Sequence, residues 1–135
     1  MRCAVMPKTL GSAYNYAATL NDLGRFEEAK SLLSRTLPVA RRVLREGFDL
    51  TLRIRKIYAV TLYKDAGATL DELRESVTTL EDTERIRRRV FGGSHPTTSS
   101  VENSLREART VLGAREAGKS VVFRQPPNAA VPGSA

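Results

Sequence analysis

The pentapeptide YAATL at Tyr16–Leu20 returns as YAVTL at Tyr58–Leu62, 42 residues further on. PKTL at Pro7–Leu10 and DLTL at Asp49–Leu52 keep the same offset of 42, and DLG at Asp22–Gly24 returns as DAG at Asp65–Gly67, 43 residues later. A third junction, HPTT at His95–Thr98, places Thr98 47 residues after Thr51, so the second unit is the longer one. A period of this length means one supersecondary unit per repeat, which buries its apolar face only by stacking on its neighbours. A chain of 135 residues has room for a short array and little else.

Within each unit the apolar spacing is helical. Phe26, Ala29, Leu33, Leu37, Ala40 and Leu44 advance by three or four along one face, as do Leu70, Leu73, Val77 and Leu80. Thr69 followed by Glu72, and Ser99 followed by Glu102, carry capping-box spacing. Gly24 and Gly67 fall where one helix gives way to the next. The pattern predicts five helices, over about 9–23, 25–46, 49–66, 70–91 and 97–116. Pro38 lies inside the second; apolar periodicity continues on both sides of it, which predicts a kink rather than an end. Only SVVFRQ, at 120–125, hints at strand alternation. The expected fold is all-α: an α-solenoid of antiparallel helix pairs, two pairs and an unpaired fifth helix. Residues 1–8 read as an N-terminal junction, 9–116 as the array, and 117–135, rich in Pro, Ala and Gly, as a disordered C-terminal tail.

LNDLGRFEEAKSLLSRTL, at 20–37, resembles the tetratricopeptide repeat in the 42-residue form of kinesin light chains and their relatives. That form carries a turn close to L-x-x-L-G-R-[YF]-E-E-A and a junction such as L-G-x-x-H-P-x-T, to which VFGGSHPTT at Val90–Thr98 is similar. The resemblance covers about residues 7–112 and is strongest in the first unit; REGFDLT, at 45–51, is a degenerate junction without His-Pro. No heptad coiled coil accompanies it, so the resemblance implies binding through the repeats and not a motor subunit.

GAREAGKS at Gly113–Ser120 satisfies the phosphate-loop pattern G-x-x-x-x-G-K-[ST]. Its context does not. A phosphate loop leaves a buried strand and enters a helix, whereas this stretch follows the amphipathic VENSLREARTVL and precedes a segment with no helical pattern. The expectation is a frayed helix end, with no nucleotide or other cofactor. His95 is the sole histidine and Cys3 the sole cysteine, which leaves no histidine-metal site, no Ser-His-Asp set and no disulfide framework. His95, before Pro96, is expected to make a turn hydrogen bond. Carboxylate pairs such as Glu27/Glu28 and Glu81/Asp82 fall on amphipathic helices, where a solvated face is the default. No catalytic residue and no metal are expected.

The chain carries a net charge of +7, with RIRRR at Arg85–Arg89 and a second cluster at Arg41, Arg42 and Arg45. That raises the alternative of a basic helical domain binding nucleic acid or another polyanion. Both clusters close their helices, where cations favour the macrodipole, and Glu81/Arg85 and Glu84/Arg88 have i,i+4 spacing. No aromatic residue interleaves the arginines as a base-stacking platform. The apolar stretches are too short to cross a bilayer, and a single cysteine suits a reducing compartment, the cytoplasm. Arg2 and Lys8, with no acid before Asp22, keep an organellar transit peptide as the other reading.

The resemblance implies a protein–protein interaction module without catalysis, whose first helices of successive pairs line a concave groove for a peptide or protein. Tyr14, Asn15, Ala18 and Asn21 would face it from the first helix, and Arg53, Lys56, Val60 and Lys64 from the third. Asn15 matches the asparagine that clamps a ligand's backbone in such repeats; an exposed helix position is the plainer alternative. The lysines and arginine imply an acidic or mixed-charge peptide. Val101, Leu105, Ala108, Val111 and Leu112 make the fifth helix apolar at several angles, which implies a lid on the second pair, or contact with further repeats or a second copy.

Overall fold

The computed structural model describes residues 9–45 and 48–118. The expected N-terminal junction, the strand-like SVVFRQ and the tail from residue 119 lie outside them. The described residues form five helices and no strand: α1 (Leu10–Asp22), α2 (Phe26–Leu44), α3 (Asp49–Lys64), α4 (Leu70–Phe91) and α5 (Pro96–Glu116). Consecutive helices pack against each other, and α3 also touches both α1 and α5. That is the stacking of an α-solenoid, with α1, α3 and α5 as the first helices of successive units.

Local chemistry sets the helix ends. Thr9 caps α1, its Oγ1 accepting from the Ser12 N–H at 2.9 Å, a contact worth about 1 kcal/mol. At the other end Gly24 has φ +75°, and the N–H groups of Gly24 and Arg25 reach the carbonyls of Asn21 and Leu20. This Schellman ending needs a left-handed residue, which glycine supplies at no steric cost. Thr69 and Glu72 form the full reciprocal capping box of α4. The second expected box does not form. Helix α5 starts earlier, because Pro96 fits its first turn and His95 Nδ1 accepts from the Thr97 N–H at 3.2 Å. Ser99 and Glu102 are therefore already inside the helix. Helix α2 runs through Pro38, which is exposed.

Two apolar clusters make the core. Ala17 and Leu20 of α1 meet Ala29, Leu33, Leu37 and Ala40 of α2, with Ile54 of α3 closing the group. Ala29 is fully buried, so its small side chain lets the first two helices approach closely. Ala59 and Tyr63 of α3, Leu73 and Leu80 of α4, and Val101, Leu105, Ala108 and Val111 of α5 form the second cluster. Helix α5 thus lays its apolar side on the second pair, as its sequence implies.

Bonds between units fix their relative rotation. Thr61 Oγ1 lies 3.0 Å from Asn21 Oδ1 and 2.8 Å from the Ile57 carbonyl. The Tyr63 hydroxyl of α3 donates to Glu107 of α5, while inside the second pair Ser76 Oγ donates to the buried Ala59 carbonyl at 2.7 Å. Lys30 Nζ meets Glu72 Oε2 at 2.6 Å, joining α2 to α4.

Candidate functional site: the groove between the first and third helices

Helices α1 and α3 are both first helices of their units, so their open faces lie side by side. Between them is a depression of about 160 Å³ lined by Tyr14, Ala18, Asn21, Asp22, Lys56, Ile57, Val60 and Lys64. Six of the eight residues expected on the groove stand together here. Asn15 and Arg53 are exposed but do not line the depression, and Arg53 Nε is held by Asp49 Oδ2 at 2.8 Å. Asp22 and Ile57 were not foreseen. Each is a chain neighbour of an expected residue, and wall position across a curved groove is not encoded in helical periodicity alone.

Apolar and charged side chains share the lining, Ala18, Ile57 and Val60 beside Asp22, Lys56 and Lys64. Ala18, Ile57 and Val60 are half-buried, and Tyr14, Ile57 and their neighbours continue into the first core cluster. Asn21 is held by Thr61, which orients its amide. Lys56 is half-buried, and its Nζ donates to Ser100 Oγ at 2.7 Å. Burial pushes its ammonium below the ordinary lysine value; Arg87, Lys64 and Arg53 push the same way and Glu107 opposes them.

The arginine run is differently disposed from what helix-end electrostatics implies. Arg87 is only 1% exposed, with Nη1 2.9 Å from Asp49 Oδ1 and 3.0 Å from Thr97 Oγ1, and its guanidinium 5.5 Å from the Phe91 ring centre. It is a core residue. Arg85 pairs with Asp82, and Arg88 with both Glu84, at 3.2 Å, and Glu102. Of the expected i,i+4 pairs only Glu84/Arg88 forms; Glu81 instead meets Arg109 of α5 at 3.0 Å. Arg55 of α3 is buried as well, 3.7 Å from Asp82. A wider depression of about 440 Å³, between α4 and α5, is walled by Glu84, Glu102, Arg106, Arg109, Thr110 and Leu105, and Arg88 and Glu81 already engage several of these charges.

The described part of the phosphate-loop-like stretch is helical. Gly113–Glu116 close α5, and Arg115 donates to the carbonyls of Ala66 and Ala68 in the α3–α4 turn. That stretch latches a helix to a neighbouring loop; Lys119 and Ser120 lie outside the described residues. No described helix is long and apolar enough to cross a membrane.

Five helices stacked pairwise, with a groove between first helices, define a helical-repeat protein. Residues 9–47, the whole of α1 and α2, match the family model described as tetratricopeptide repeat, the kinesin light chain-like form. Those residues are similar to one tetratricopeptide repeat, and the packing of consecutive helices along the described residues is consistent with an all-α solenoid of that kind. Comparison with curated proteins and with solved structures found no match. Repeats of this family generally mediate protein–protein interaction and are typically non-catalytic scaffolds.

Proposed function

We propose that the depression between α1 and α3 receives an extended segment of a protein partner, and that the chain is an interaction module without chemistry of its own. The observation that carries this reading is the convergence of Tyr14, Ala18, Asn21, Lys56, Val60 and Lys64 on one open cavity of about 160 Å³. Small-molecule sites run to about 300–1,000 Å³, so this volume suits a partner's side chain better than a metabolite. Asn21 and the exposed Asn15 supply amides that can both donate and accept along a peptide backbone. The single cysteine suits a reducing compartment, and we place the module in the cytoplasm.

Polyanion binding loses its main support once Arg85, Arg87 and Arg88 are seen to be paired within the fold. Titration of the chain with heparin across a salt series, beside a peptide chosen from a displayed random library, separates the two. The module reading expects peptide binding that is abolished by Ala18→Trp and weak heparin binding that vanishes at moderate salt. Tight heparin binding indifferent to Ala18→Trp, with no peptide selected, would replace it.

A further inference from the structure

The two junctions between units repeat a pattern that the groove does not use. Arg42-Val43 and Arg89-Val90 stand 47 residues apart, each valine two residues before a C-cap, Arg45 for α2 and Gly92 for α4. The two caps share one backbone conformation, φ 77° and ψ 166° against φ 88° and ψ 159°. A feature repeated at one place in successive units of a solenoid forms a strip along one edge. Phe48, the N-cap of α3, lies beside the first junction, and the Arg87–Asp49 contact at 2.9 Å holds the end of α4 at the start of α3.

The strip puts apolar and cationic side chains in water together. Val43 is 62% exposed, Phe48 55% and Val90 50%, which makes them three of the five exposed large apolar residues among those described. Arg42, Arg45 and Arg89 are exposed too, and make no ion pair among the described residues. Nearby acids are engaged elsewhere: Asp49 by Arg53 and Arg87, Glu84 and Glu102 by Arg88. Glu46 belongs to this stretch of sequence and lies outside the described residues. Helices α2 and α4 both begin on acids and end on arginines, so positive charge gathers at the junction edge.

We infer that the junction edge docks on an anionic lipid surface, with Val43, Phe48 and Val90 entering the interface and Arg42, Arg45 and Arg89 meeting the headgroups. Apolar side chains flanked by arginines suit that boundary, where acyl chains and negative charge lie a few ångströms apart. A dissolved polyanion gives the valines nothing to bury against, and valine offers no stacking face to a nucleic-acid base. A second copy of the chain meets the mutual repulsion of two molecules that each carry +7. The strip shares no residue with the depression between α1 and α3, so either site can fail while the other stands.

The test sediments the full chain with vesicles of phosphatidylcholine alone and of an equimolar mixture with phosphatidylserine. Binding is expected to the mixed vesicles and not to the neutral ones. Arg42→Gln combined with Arg89→Gln should weaken it about tenfold or more, each arginine at an anionic surface counting for about fivefold. Phe48→Ser combined with Val90→Ser should also weaken it about tenfold or more; both positions are exposed and serine is accepted at an N-cap, so the fold is kept. The chain has no tryptophan, so Phe48→Trp supplies a single reporter whose emission should shift to the blue on mixed vesicles and stay unshifted with heparin. No binding to mixed vesicles, or equal binding to both kinds, would overturn the inference. Binding that the glutamine pair abolishes and the serine pair leaves unchanged, with RNA bound as tightly, would assign the edge to a soluble polyanion instead. Vesicle binding without the tryptophan shift would put the contact elsewhere on the molecule and overturn it as well.

Discussion

Arg87 of α4 reaches Asp49 at the first turn of α3, 2.9 Å away, with its guanidinium 1% exposed. The same nitrogen meets Thr97 in the first turn of α5, so one side chain ties three helices at one end of the second unit. Its Nε has no hydrogen-bond partner among the described residues, so the arginine is held at some cost in desolvation. Asp49 stays 40% exposed and can be hydrated when its partner is gone.

Two substitutions separate packing from charge. Arg87→Ala should destabilise by about 2–4 kcal/mol, through lost volume and lost hydrogen bonds. Arg87→Met, which keeps most of the volume and removes the buried charge, should cost clearly less. Urea unfolding of both variants checks this; equal losses would mean that the ion pair, and not the filled space, holds the helices.

A second comparison concerns the helix ends that follow the two pairs. Gly92 closes α4 at φ +88°, ψ 159°, and Arg45 closes α2 at φ +77°, ψ 166°, each donating its N–H to the carbonyl four residues back. This region is essentially reserved for glycine and costs other residues about 1–3 kcal/mol. Arg45→Gly should therefore stabilise the fold by about 1 kcal/mol. Gly92→Ala should destabilise it by a similar amount, since no atom lies within 4 Å of the added Cβ and backbone strain acts alone. Denaturation midpoints moving the other way would show that the two ends are not equivalent.

Much of this fold was legible because a repeat states its pattern twice. Helix limits followed from capping residues and glycine turns, and the buried faces from steps of three and four. The buried arginines were less visible, although the stripe predicts them. Leu73, Ser76, Leu80, Thr83 and Arg87 advance by three, four, three and four, as Leu52, Arg55, Ala59 and Leu62 do by three, four and three. Residue type pointed outward and position pointed inward, and position prevailed because Asp49 and Asp82 stand close enough to compensate the charge. The Ser99–Glu102 box failed for a different reason: Pro96 and His95 offered an earlier start. The groove residues were placed by family register, and their convergence depends on how α1 and α3 stack, which no single-helix pattern contains.

The Lys30–Glu72 pair predicts a pH dependence. The hydrogen bond from Lys30, then the Thr69 N–H, holds the Glu72 carboxyl below its ordinary 4.5. A depressed folded value means that the contribution is complete above 4.5 and is lost as pH falls through the folded value. Glu72→Gln keeps a side chain able to close the capping box and removes only the charge. The variant should be less stable at pH 7, by about 1 kcal/mol or less because the pair is partly hydrated, and the gap should narrow as pH falls below 4.5 and close once Glu72 is protonated in the folded chain. A gap that persists in acid would assign the loss to helix capping instead.

Ala29 marks the crossing of α1 and α2, with no exposed surface in the middle of the first core cluster. Ala29→Trp should overpack it and cost about 1–3 kcal/mol. Thermal unfolding that leaves the midpoint unchanged would mean the crossing opens readily, which a close-packed pair does not allow.

The groove itself is tested most directly by nuclear magnetic resonance, following an isotope-labelled chain as a library-selected peptide is added. Binding between α1 and α3 predicts the largest shifts at Tyr14, Ala18, Asn21, Lys56 and Val60, with Arg85 and Arg89 on α4 unmoved. Shifts confined to the α4–α5 depression around Glu84, Arg106 and Arg109, with α1 and α3 silent, would contradict it.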